Sequence, residues 1–123
     1  MTQKLRILLY VMMAYLTIFG ILFIFLPSVA EKVLSTSLPD RPLSMLYGQL
    51  TLTFAFIAYL ASQGGNGLSK LTNALMVMTA GHVIIFAFLL ATGGLAFAAA
   101  GPPLIINLVF TALLFVFRPS AGA

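Results

Sequence analysis

The sequence predicts an all-α membrane protein, an up-down bundle of four transmembrane helices with a short interfacial helix after the first. Two observations carry that prediction. The 123 residues are 62% hydrophobic and only 7% charged, with a mean hydropathy of +1.15, far from the composition of a soluble domain. The apolar residues are also gathered into long blocks matched to a hydrocarbon core of about 30 Å. Residues 1–123 read as one integral membrane domain.

Residues 7–26, ILLYVMMAYLTIFGILFIFL, run without a charge and form the first span. Lys4 and Arg6 before it and the small residues Ser28 and Ala30 after it raise the question of a cleaved signal peptide. The apolar run exceeds the roughly 7 to 15 residues of a signal core, so it reads as a retained anchor. Pro27 ends this helix, because proline lacks an amide proton and restricts the residue before it. In SVAEKVLSTSL, Val29, Val33 and Leu34 share one helical face and Glu31, Lys32 and Ser35 another, the pattern of a helix lying in the interface.

LPDRP, residues 38–42, is turn chemistry, and residues 43–62, LSMLYGQLTLTFAFIAYLAS, form a second and more polar span. QGGNGLSK is a connecting loop. The third span covers residues 71–92 and stops at Gly93-Gly94. The last covers residues 104–117, short for a crossing, with Pro102 or Pro103 placed in its first turn. The apolar LAFAAA before those prolines can extend it, and the tail RPSAGA is frayed.

Small residues mark candidate close approaches between helices: Ala14 and Gly20, then Gly48, Ala58 and Ser62, then Gly81, Ala87 and Ala91. Tyr10, Tyr47 and Tyr59 fall near span ends and read as interface anchors, and Arg118 can snorkel past Phe117. Lys4, Arg6, Lys70 and Arg118 fall on one side of the membrane, whereas Lys32 and Arg41, each beside an acid, fall on the other. The positive-inside rule then places both termini in the cytoplasm.

The six basic residues are scattered, without a basic run or interleaved aromatics, which argues against nucleic acid as a partner. The chain has no cysteine and therefore no thiolate or disulfide chemistry. Its two acids, Glu31 and Asp40, sit in the first extramembrane loop beside Lys32 and Arg41, as interfacial charges rather than a catalytic pair. No catalytic residue is assigned.

The only histidine, His82, lies in TAGHVIIFAF, deep in the third span, and an ionisable group at that depth needs a reason. Met78, Thr79 and Phe86 share its helical face. Gln49 with Thr53 and Tyr47 with Thr51 on the second span, Asn107 with Thr111 on the last, and Tyr10, Tyr15 and Thr17 on the first are the partners other helices can offer. Read structurally, His82 is a neutral interhelical hydrogen bonder to Gln49 or Asn107. Read functionally, it donates to the carbonyl of a quinone or similar lipid-soluble molecule, in a pocket that includes Gln49, Asn107, Thr79 and Thr53. Metal or haem ligation lacks the several strong ligands such a centre needs, so no metal and no resident cofactor is assigned, with a quinone or lipid as the candidate guest.

The signatures of two kinds of small four-helix transporter are not met by this sequence. Small multidrug exporters depend on a glutamate in the first helix, where residues 7–26 hold no acid. Fluoride channels carry an asparagine-bearing second helix and a paired phenylalanine motif in the third, where this chain offers only Phe86 and Phe88.

FLPSVAEKVL, LYGQLTLTFAFIAYLAS and PLIINLVFTALLFVF, with Pro27 and Tyr47-Gly48 as the chief positions, resemble the DoxX-like four-helix bacterial membrane proteins over nearly the whole chain. The resemblance implies an up-down bundle in the bacterial inner membrane and, in some relatives, association with quinone-linked oxidoreductases. Where that pattern often has an acid in the last helix this chain has Asn107, which weakens an inference of proton or redox chemistry.

The function expected from these readings is that of a non-catalytic accessory or assembly subunit, partnered by the lipid bilayer and by other membrane subunits or further copies of itself. The alternative is a binder of a small hydrophobic molecule such as a quinone, and the third reading is a small transporter or channel.

Overall fold

The computed structural model describes residues 2–35, 37 and 41–119. The expected turn around Asp40 and the end of the tail lie outside the described residues. Five helices follow in order, α1 (Gln3–Phe25), α2 (Pro27–Leu34), α3 (Arg41–Ser62), α4 (Leu68–Thr92) and α5 (Phe97–Phe117). All but α2 are long and apolar enough to cross a membrane. α1 packs along α3 and α4 along α5, so two antiparallel hairpins meet to form the up-down bundle.

α1 begins before residue 7 because the Thr2 hydroxyl accepts from the Leu5 amide at 3.2 Å, which satisfies one of the free donors of a helix start. Pro27 does end α1, and it also opens α2, where its missing proton costs nothing. The expected interfacial helix is therefore present as α2. Its inward contact is Ala30, while Val29 and Val33 turn outward to where an interface would receive them.

α3 is fastened to the end of α1. The Ser44 hydroxyl donates to the Phe23 carbonyl at 2.7 Å and the Arg41 guanidinium to the Ile24 carbonyl at 3.1 Å. Both carbonyls belong to the last turn of α1, which has no further amides to offer them. Lower down, the two helices cross at Gly20 and Gly48. A Cβ on Gly48 would stand 2.8 Å from the Gly20 carbonyl oxygen, so hydrogen is all that fits.

α4 ends as expected at Gly93, whose φ of +77° is a left-handed conformation that glycine adopts freely. α5 departs from expectation by starting at Phe97 rather than at residue 104. The alanines of LAFAAA are strong helix formers, and the amides of Ala99 and Ala100 already close onto the Ala96 carbonyl. Pro102 and Pro103 thus lie inside the helix, and the carbonyls of Ala98 and Ala99 lose their usual donors. With 21 residues, α5 spans the hydrocarbon at about 31 Å.

The core is uneven along the bundle. Toward the two termini Leu5, Leu9, Met12, Ala58, Leu75 and Leu114 are sealed from every side. Here also the Thr111 hydroxyl lies 2.8 Å from that of Thr79, joining α5 to α4. Thr111→Val is expected to lower stability by about 0.6 kcal/mol. A double-mutant cycle with Thr79→Val, read by unfolding in mixed detergent, should recover that coupling, and additive effects would count against it.

Of the small residues, Ala58 and Ser62 are buried as expected, but Ala87 and Ala91 face outward and Gly81 borders open space. At the ends, Lys4 stands 5.9 Å from the centre of the Phe117 ring, and the Arg118 guanidinium lies 4.2 Å from that of Phe115.

Candidate functional site

The opposite half of the bundle, toward α2 and the α4–α5 connection, encloses a cavity of about 720 Å³. Its walls come from α1 between Tyr15 and Phe23, α3 between Leu43 and Phe54, α4 between Met78 and Phe86 and α5 between Ala99 and Asn107, with Leu34 of α2 and Leu95. Phe19, Phe23, Phe54 and Phe86 supply most of the aromatic surface. On the side of the packed half, Phe110 stands edge-on to Tyr15 with ring centres 5.6 Å apart.

The cavity opens sideways. The residues of α1 and α5 that line it are covered, among them Leu16, Phe23, Ala99 and Asn107, each exposed by less than a tenth. On α3, by contrast, Leu46 is 64% and Leu50 52% exposed, and Ile85 on α4 is 58% exposed. The mouth therefore lies between α3 and α4, facing hydrocarbon.

Across this mouth the Tyr47 hydroxyl and His82 Nε2 are 3.3 Å apart. The Tyr47 ring is steered by Phe23, which meets it edge to face at 4.8 Å. The other imidazole nitrogen, Nδ1, lies 2.8 Å from the Met78 carbonyl, one turn earlier on α4. A carbonyl can only accept, so Nδ1 carries the proton, and in the neutral ring Nε2 is left as an acceptor for the Tyr47 hydroxyl. In this arrangement His82 presents an acceptor at the cavity wall, with the Tyr47 hydroxyl as the donor beside it.

Of the residues singled out from sequence, His82 and Asn107 both line the cavity. Gln49, Thr53 and Thr79 do not. The Thr53 hydroxyl donates to the Gln49 carbonyl at 3.0 Å and accepts from the Gln49 amide at 3.1 Å, and both side chains sit on the outer face of α3. Thr79 is engaged with Thr111 in the packed half. His82 therefore takes Tyr47 as its interhelical partner instead of Gln49 or Asn107. Asn107 donates to the Pro103 carbonyl at 2.8 Å, inside its own helix.

Tyr47 and Tyr15 are among the partners the sequence offers His82, but nothing in it sets them above Gln49 and Asn107. Tyr47, which by its place near a span end also reads as an interface anchor, completes the polar pair at the mouth. Tyr15 lines the cavity, and among the described residues its hydroxyl has no hydrogen-bond partner. The i,i+4 spacing of Tyr47 with Thr51 marks a polar pair but not the helix across which Tyr47 acts.

The chain matches no family model, and neither a curated protein nor a solved structure shows significant similarity to it.

Proposed function

We propose that the protein is a non-catalytic component of the bacterial cytoplasmic membrane that holds a small lipid-soluble molecule, of the size of a quinone headgroup with part of its chain, between α3 and α4. The observation that carries this reading is the cavity of about 720 Å³ opening sideways toward lipid. That volume lies within the range of ligand sites, which combine apolar walls with a few placed polar groups. Tyr47, His82, Asn107 and Tyr15 are those groups here. With Lys4, Arg6, Lys70 and Arg118 at the packed end, the positive-inside rule supports cytoplasmic termini and a cavity in the opposite half.

The likeness of FLPSVAEKVL and LYGQLTLTFAFIAYLAS to DoxX-like proteins is in keeping with such a role. Membership of a larger complex rests only on the outward apolar faces, such as Val77, Ile84 and Val116. Lipid covers such faces as readily as a partner helix does, so binding is the reading preferred.

The test is organic extraction of the purified protein followed by mass spectrometry. A molecule present in stoichiometric amount should survive in Thr92→Ala, on the outer face, and fall about three- to tenfold in His82→Ala, the worth of one hydrogen bond. Equal retention in the two variants would remove His82 from the site. The cavity reading itself fails if the wild type carries nothing but bulk phospholipid and takes up no added hydrophobic probe.

A further inference from the structure

Given a ligand in this cavity, the hydrogen-bond inventory of its mouth restricts the ligand's head. We infer that the site selects a lipid-soluble alcohol or phenol over the ketone or quinone of the same skeleton; this rests on the binding role proposed above. With nothing bound, the pair makes one bond, from the Tyr47 hydroxyl to Nε2 of His82, and 3.3 Å is long for it. Nδ1 is committed to Met78 at 2.8 Å and holds the ring proton.

A guest hydroxyl can insert between the two side chains. It donates its own proton to Nε2 and accepts the proton of Tyr47, so one long bond is replaced by two and every partner is satisfied. A guest carbonyl can only accept. Taking the Tyr47 proton, it leaves Nε2 facing an apolar cavity without a donor; taking the Tyr15 proton instead, it leaves Nε2 on its one long bond, so in neither pose does it serve that nitrogen as a hydroxyl does. Among the described residues no carboxylate lines the cavity. The lateral mouth at Leu46, Leu50 and Ile85 lets the alkyl part of such a molecule remain in the bilayer while its head reaches the pair.

The experiment uses 2-dodecanol and 2-dodecanone, matched in skeleton, in competition binding to the full chain in maltoside detergent. The alcohol should bind about tenfold more tightly to the wild type. Tyr47→Phe should keep the preference, because Nε2 still awaits a donor. In His82→Phe the two probes should bind alike, with retained ketone binding as proof of an intact cavity. Because the chain has one histidine, ¹⁵N-histidine labelling reports on the same point without any substitution. Nε2 should resonate as an unprotonated nitrogen and move on addition of the alcohol but not of the ketone. Equal affinity for the two probes in the wild type, a preference that survives in His82→Phe, or a protonated Nε2 resonance would overturn the selection of a hydroxyl head while leaving the cavity reading intact. Absence of binding by either probe would overturn the cavity reading and this inference with it.

Discussion

Gly48→Ala is expected to cost about 1–3 kcal/mol of stability, the range for overpacking a close contact. The new methyl group would meet the Gly20 carbonyl oxygen at 2.8 Å and the Phe23 Cβ at 3.0 Å. Both belong to α1 close to its backbone, so neither can move without parting α1 from α3. Gly20→Ala is expected to cost less, because its closest clashes, at 2.6 Å, are with Cγ and Cδ2 of the Leu52 side chain, and the nearest backbone atom, the Gly48 carbonyl oxygen, is 3.1 Å away. Gly81→Ala should be neutral or gain up to about 1 kcal/mol, as its Cβ would meet nothing within 4 Å and alanine is the better helix former. Unfolding of the three variants in mixed detergent checks the order. If Gly81→Ala proved as damaging as Gly48→Ala, close approach would not be what holds the first hairpin together.

The second large effect is expected in the opposite half. Ala99→Phe would direct a ring into the cavity from the covered wall formed by α5. Occupancy by a bound molecule should fall by about a hundredfold, since guest and ring would claim the same volume. Stability should not fall with it, and filling a void commonly adds about 0.5–2 kcal/mol. Opposite signs for binding and stability are the signature to seek, by the extraction assay and by thermal unfolding. A variant that kept its guest in full would show that the guest sits elsewhere.

Which parts of this architecture could be read in advance follows from what a bilayer demands. A helix that crosses hydrocarbon must be apolar over some 20 residues, so the spans were evident along the chain. Pro27 and Gly93 act locally, through a missing proton and a left-handed backbone, and their effects are equally plain in sequence. Rotation of each helix about its axis is a different matter. Faces turned to lipid and faces turned to protein share one composition, so nothing announced that Tyr47 points across to His82. Gln49 and Thr53 drew attention as polar groups in an apolar span, on the premise that such groups turn inward. They satisfy one another and their own helix, and so can face outward at little cost. The start of α5 escaped for a related reason: two consecutive prolines signal a boundary, but the alanines before them nucleate the helix first.

The uneven core has a further consequence for traffic. A guest that slips in between α3 and α4 meets Leu9, Met12, Ala58, Leu75 and Leu114 beneath it, all fully covered. Passage to the far side would require these five to separate against the dense packing of the sealed end. On the binding role proposed above, a guest would exchange with one leaflet only, through a single door between α3 and α4.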